Sequence, residues 1–219
     1  MLTIYGVYRS RATRPIWLLE ELGLPFRHVP VIQAYRLADP AAADAPLNTT
    51  SPGFLAFSPQ GAIPVLDDHG FILTESLAIT LYIARKEGGA LAPDGPQETA
   101  QMMQWALYGA TAIEGTALDI QMALAAGPAT EPAVGQRLDA AAAKLRRPFR
   151  VLDAHLAAGG TMVGERFTVA DINMAECVRY AQGHGALMAE FPALKRWLET
   201  CQSRAAFQKM WAQRNAEPA

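Results

Sequence analysis

Residues 60–76 read QGAIPVLDDHGFILTES, and this stretch decides the fold. Ile63 to Leu66 and Phe71 to Leu73 are two short apolar runs. Asp67-Asp68-His69-Gly70 between them has the composition of a turn joining antiparallel strands. Thr74-Glu75-Ser76 then opens a helix that runs to about Lys86. Upstream, strand and helix signals alternate. Leu2 to Tyr5 alternates and reads as a strand. Residues 12–22 carry Ala12, Ile16, Leu19 and Leu22 on one helical face; Gly23 ends the helix and Pro25 follows. Phe26 to Ile32 is a further strand, and Pro30 within it implies an edge, since proline cannot donate to a ladder. A β-α-β unit implies a parallel pair, to which the hairpin adds antiparallel strands. The link from Gln33 to Gly61 is long; its middle, Ala38 to Thr50, reads as a surface loop. Ser51-Pro52 reads as a helix start, with Ser as cap and Pro at the first helical position.

Residues 87–97, EGGALAPDGPQ, are rich in Gly and Pro and lack a periodic pattern. They divide the chain into residues 1–86, a linker 87–97 and a helical part 98–219. In the last part Met102, Ala106, Gly109, Ile113, Ala117, Ile120 and Leu124 step by three and four, as do Leu138, Ala142, Leu145, Phe149, Leu152 and Leu156. Pro148 is expected to kink the second of these helices. Thr168 caps a third, with Asp171 placed where a carboxylate favours a helix N-terminus. Two more follow near 191–201 and 203–214.

The chain has 219 residues and 23.6 kDa, and its 51% hydrophobic content excludes wholesale disorder. Nineteen Lys plus Arg against 21 Asp plus Glu give a net charge of −2. That balance offers no electrostatic reason for a nucleic-acid or anionic-membrane partner. No apolar run approaches the roughly 20 residues of a membrane span. In MLTIYGVYRSRATR the basic residues follow a short apolar stretch, the reverse of a signal peptide, so a cytoplasmic location is expected. Cys177 and Cys201 read as reduced thiols packed on helix faces. His28, His69, His155 and His184 lack metal-ligand spacing, and no metal is expected.

The strand LTIYG, the loop and helix YRSRATRPIWLLEELGLPF, the segment SPQGAIPVL, the TES helix start and FTVADIN occur in an order that resembles the soluble glutathione S-transferases over essentially the whole chain. The resemblance implies a thioredoxin-like α/β N-terminal domain followed by an all-α C-terminal domain, usually in a homodimer. It also implies glutathione on the first domain and an electrophile between the two.

Residue by residue, it implies a cis Ile63-Pro64 bond whose Ile63 main chain pairs with the cysteinyl backbone, with Gln60 in the same segment. The alternative is an ordinary trans proline starting an edge strand. Ser76 would bind the γ-glutamyl carboxylate at a helix N-terminus, and Glu75 would meet the ammonium. The plainer role of both is to cap that helix. Ser10 would activate the thiol, aided by Arg11, or else cap the first helix. Tyr8 and Tyr5 are the phenolic alternatives, and backbone N–H groups with Arg11 a third. A free thiol has a pKa of about 8.5, and one hydrogen bond to a charged group, about 1.5–3 kcal/mol, is enough to lower it by one to two units. Ala62 stands where many members carry a basic residue near the glycyl carboxylate; Arg11, Gln33 and Arg36 are possible substitutes. Trp105 and Tyr108, with Ala112 and Met122, form a second face of the long helix that would line the electrophile pocket or else belong to the core.

The expected function is transfer of the glutathione thiolate to a small, apolar electrophile, a detoxification chemistry. The alternatives are glutathione-dependent isomerisation or reduction, and a non-catalytic ligand-binding module.

Overall fold

β1 (Leu2–Tyr5), β2 (Phe26–Val29), β3 (Val65–Asp68) and β4 (Phe71–Leu73) form one mixed sheet, in the order β2-β1-β3-β4, in the computed structural model, which describes residues 1–218. β1 runs parallel to β2 and antiparallel to β3, with Tyr5 opposite Val29 and Val65. Alternation sorts the two faces. Ile4 and its partner Leu66 are fully buried on one. Tyr5 and Val65 lie on the other, packed with Val31, Phe54 and Phe57. α1 (Thr13–Leu22) packs against α3 (Ser76–Glu87), which also rests on β3, while α2 (Pro52–Leu55) contributes Phe54 to the opposite face.

Local chemistry explains the borders. β2 is an edge strand, as Pro30 implies, but it stops at Val29 rather than Ile32, because Pro30 has no N–H to continue the ladder. Gly23 caps α1 at φ 62°. The hairpin turn is tighter than the four residues expected. Asp67 and Asp68 belong to β3, and only His69 (φ 54°) and Gly70 (φ 93°) make the turn. Ser51 holds the N-cap position of α2 with Pro52 at its start, as expected, but its side chain makes no capping bond; its Oγ instead accepts the Asn48 N–H at 3.0 Å. Asn48 itself is buried and organises the long loop, donating from Nδ2 to the carbonyls of Pro40 and Pro46.

The remaining helices are α4 (Gly95–Tyr108), α5 (Gly115–Ala126), α6 (Pro132–Gly159), α7 (Val169–Val178), α8 (Gly185–Ala189), α9 (Pro192–Gln202) and α10 (Ala205–Ala216). The long helix expected from the stripe Met102 to Leu124 is α4 and α5 joined by a π-helical stretch, Gly109–Glu114. A Cβ at Gly109 would lie 3.1 Å from Cys177 Sγ, so the absence of a side chain there lets α7 come close. α6 runs on through the buried Pro148. α7 opens with Thr168 and Asp171 in a reciprocal capping box. Among the described residues no helix is long and apolar enough to cross a membrane.

Two compact units result. One comprises Met1–Gly89 and the C-terminal stretch from Ala205 onward; the other is Ala90–Arg204. The sequence-based division gave all of 98–219 to the helical part. α10 instead packs on α1, where fully buried Trp17 meets the Phe207 ring edge-on at 4.9 Å, and Lys209 pairs with Glu20 at 2.6 Å. Helical periodicity marks which face of α10 is apolar but not which surface covers it. The segment 87–97 is partly ordered into helix: α3 extends to Glu87, Gly89–Leu91 forms a 3-10 turn and α4 begins at Gly95.

Within the second unit, Arg166 grips Glu98 through two bonds (2.9 and 2.6 Å) and also donates to the carbonyls of Ala90 and Ala92. The Arg166 guanidinium first, and then the Asp94 N–H, hold the Glu98 carboxyl at about 2, against 4.5 ordinarily. The folded-state value is the lower one, so this contribution is fully present above about pH 4.5 and is lost as the pH falls toward 2. Solvent reaches both partners, which leaves about 1–2 kcal/mol after screening. Glu98→Gln is expected to flatten the loss of stability between these pH values, measured by urea unfolding at a series of pH. An unchanged slope would show that the pair does not matter there.

Candidate functional site

The site is built around the start of α3. Glu75, the residue before the helix, has φ 65° and ψ 105°, is exposed, and makes no capping bond with its side chain. A non-glycine residue held at positive φ costs about 1–3 kcal/mol, and surrounding structure keeps such residues mainly at functional positions. Glu75 holds the N-cap position of α3 through its carbonyl, which accepts the Ile79 N–H at 2.9 Å, and leaves its side chain outside the cap. Ser76 is buried, and its Oγ accepts a hydrogen bond from Arg14 Nη1 at 2.9 Å. Arg14 is 1% exposed in the first turn of α1. A guanidinium under Ser76 and the N-terminal end of a 12-residue helix both favour negative charge at this point, and the Glu75 carboxylate beside them favours positive charge.

Arg14 was not among the sequence-based candidates. The signal that finds it is spacing: Trp17 and Leu18 lie three and four residues on, so Arg14 falls inside the apolar stripe of α1 rather than on its wet face.

Between β1 and α1 the chain passes through Gly6, at φ 143°. A Cβ there would sit 3.1 Å from Ala12 Cβ and 3.4 Å from Ile63 Cβ. Glycine thus lets the end of β1, the entry to α1 and Ile63-Pro64 meet. Ile63-Pro64 is cis, as the resemblance implies, with Pro64 buried. His28 Nε2 donates to the Gly6 carbonyl at 2.6 Å, a structural task.

Ser10 is half-buried. Its Oγ donates to the Val7 carbonyl at 2.6 Å and accepts the Ala12 N–H at 3.0 Å, so it holds the turn into α1. Arg11 is exposed, and its carbonyl accepts the Arg14 N–H at 3.2 Å. The Tyr8 ring meets His28 edge-on at 4.9 Å. Burial first, then the charges of Glu20 and Glu217, push its phenol above the ordinary value, so it stays protonated. The Tyr5 ring packs 4.9 Å from Phe57 on the α2 face of the sheet.

Gln60 and Ala62 are exposed on either side of Gly61, which turns at φ 63° against the Thr49 carbonyl. Gln33 and Arg36 are tied into a chain: Gln33 Nε2 donates to the Arg9 carbonyl, and Arg36 donates to Gln33 Oε1 and the Pro218 carbonyl.

In the helical unit, Trp105 is nearly buried, 4.7 Å from the His155 ring and edge-on to Tyr108 at 5.6 Å. Tyr108 is half-buried, its hydroxyl 3.5 Å from the Pro148 carbonyl; burial pushes its phenol up. Among the described residues no group of three or more His, Cys, Asp or Glu is gathered as a metal site.

Comparison with known proteins agrees with this architecture. Residues 8–86 match the glutathione S-transferase N-terminal domain and residues 101–205 the C-terminal domain of the same family. Glutathione S-transferase 3 of Zea mays is 32% identical over 95% of this chain and 92% of its own. The structure of glutathione S-transferase III in its apo form superposes with a TM-score of 0.76 at 32% identity, covering 100% of this chain and 99% of that one. Elongation factor 1-gamma of Sus scrofa is 29% identical over 72% of this chain but only 36% of its own length. With both family domains matched in order and a relative of this identity spanning nearly its full length, the chain belongs to the glutathione S-transferase family.

Proposed function

We propose that the chain binds glutathione on its first unit and transfers the thiolate to a small, apolar electrophile. The observation that carries this is the strained Glu75 beside buried Ser76, with Arg14 bonded to the Ser76 hydroxyl. A γ-glutamyl group is a carboxylate and an ammonium on one carbon. Ser76, the α3 N-terminus and Arg14 suit the carboxylate, and Glu75 suits the ammonium. The Ile63 main chain would pair with the cysteinyl unit as an added strand does. Gln60 would offer its amide to the glycyl end, a neutral donor where Ala62 supplies no charge.

Ser10 is the residue we assign to the thiol, with Arg11 adding positive charge nearby. To donate to sulfur, the Ser10 hydroxyl must give up its bond to the Val7 carbonyl. That exchange costs about 1 kcal/mol and gains about 1.5–3, so the net lowering of the thiol pKa is about one unit. Tyr8, held protonated, is the alternative donor; Tyr5 is the weaker one, since its ring is packed with Phe57. Trp105 and Tyr108 are assigned to the electrophile, Tyr108 being the more accessible. The proposal includes a cytoplasmic homodimer with a detoxification role. Met103 and Leu107, more than half exposed one helical turn apart, support a partner surface.

Titration calorimetry with glutathione tests the binding: no heat and no saturation would end this proposal. For the chemistry, Ser10→Ala is expected to move the pH profile of conjugation to an aryl halide upward by about one unit. If Tyr8→Phe moves the profile and Ser10→Ala does not, the donor is phenolic. A second function is a binding module without transfer. It is favoured by the likeness to elongation factor 1-gamma and by the inward bond of Ser10, and saturable binding without turnover would establish it.

A further inference from the structure

The loop between β1 and α1 presents the backbone N–H groups of Tyr8 and Arg9. Both donate to one carboxylate, that of Glu217, at 2.7 and 2.8 Å. Two consecutive N–H groups converging on an anion form a nest, and charge makes such bonds short and strong. Arg9 Nε adds a bond to the Glu217 carbonyl at 3.1 Å, and Arg36 Nη2 reaches the Pro218 carbonyl at 2.9 Å. Glu217 continues the last turn of α10, its N–H donating to Gln213 O.

We propose that Glu217 is a positioning residue, a C-terminal clamp that fixes the loop carrying Ser10 from outside while the Ser10 hydroxyl fixes it from inside. The docking of α10 does not need Glu217, because Trp17 with Phe207 and Lys209 with Glu20 already hold the helix to α1. What the carboxylate adds is two bonds on residues 8 and 9, immediately before the proposed thiol donor. Without it those N–H groups turn to water and the loop loses its single arrangement. The charged neighbours are Arg9 and Arg36, which bond to the Glu217 and Pro218 carbonyls, and Glu20 of α1, which is paired with Lys209. The clamp stands on geometry alone; only its kinetic consequence rests on the function proposed above.

The test compares the full chain with Glu217→Ala and Glu217→Asp. Amide exchange read by NMR is expected to be at least about ten-fold faster at Tyr8 and Arg9 in Glu217→Ala, with the Ile4 amide of β1 unchanged. Glu217→Asp, which keeps the carboxylate, should restore most of the protection. In aryl halide conjugation, Glu217→Ala should lower kcat about five- to ten-fold with KM for glutathione within about two-fold, since the Ser76 contacts lie elsewhere. Unchanged exchange at Tyr8 and Arg9 would overturn the clamp, as would an Asp variant no better than Ala. Faster exchange with unaltered kcat would overturn the positioning role. A wild type that binds glutathione without turnover would sink the transferase proposal alone, and the exchange experiment would still decide the clamp.

Discussion

Asp171→Ala is expected to lower the stability of the helical unit by about 3–5 kcal/mol, more than any other single substitution considered. The buried carboxylate accepts the Thr168 N–H at 2.9 Å, the Thr168 hydroxyl at 3.2 Å, the Met162 N–H at 3.0 Å and Trp197 Nε1 at 2.9 Å. It joins the cap of α7 to the preceding loop and to α9. Alanine strands these donors in a place water does not reach, and each costs about 1–3 kcal/mol less whatever partner it finds by relaxation. Asp171→Asn keeps one acceptor oxygen and should lose about half as much. Urea unfolding followed by tryptophan fluorescence reads both. A loss below about 1 kcal/mol for the alanine variant would mean that the four donors find other partners.

Arg14→Ala should have the second largest effect, and on binding rather than on folding alone. Its guanidinium donates to Ser76 Oγ, so it orients the hydroxyl proton outward, toward a ligand carboxylate, and supplies a charge at the helix start. Removing it should weaken glutathione binding by about 1.5–3 kcal/mol, roughly ten- to 150-fold in Kd. Arg14→Lys should recover only part of this, because an ammonium cannot reproduce the planar fork. Calorimetry with glutathione decides it. Equal Kd for wild type and Arg14→Ala would separate Arg14 from the ligand and leave it a core residue.

The residues that were legible in the sequence are those that restrict the backbone locally. Gly23 at φ 62°, Pro30 just past the end of an edge strand and the His69-Gly70 turn act through their own φ angles or missing N–H groups, so neighbours are not needed to read them. The Thr168–Asp171 capping box is likewise local. What escaped depends on distant contacts. Gly109, at the start of the π-helical stretch 109–114, is needed for the close approach of Cys177, which lies far along the chain. Glu75-Ser76 is visible as a charge pattern; the spacing of Arg14 marks it as lying in the apolar stripe of α1, but its partner Ser76 emerges only once α1 is packed against α3. Glu217 has no local signal at all, since its partners are more than 200 residues away.

The docking of α10 on α1 has a consequence for biosynthesis. The first compact unit is discontinuous: its last helix leaves the ribosome only after residues 90–204 have been made. Until then the side of Trp17 that Phe207 covers has no partner from α10, and the nascent first unit displays aromatic surface of the kind that chaperones recognise. The order of synthesis is therefore not the order of completion. Residues translated after Arg204 complete the unit that holds the sheet, so a chain terminated before Ala205 would carry the strands yet lack the helix that packs on α1.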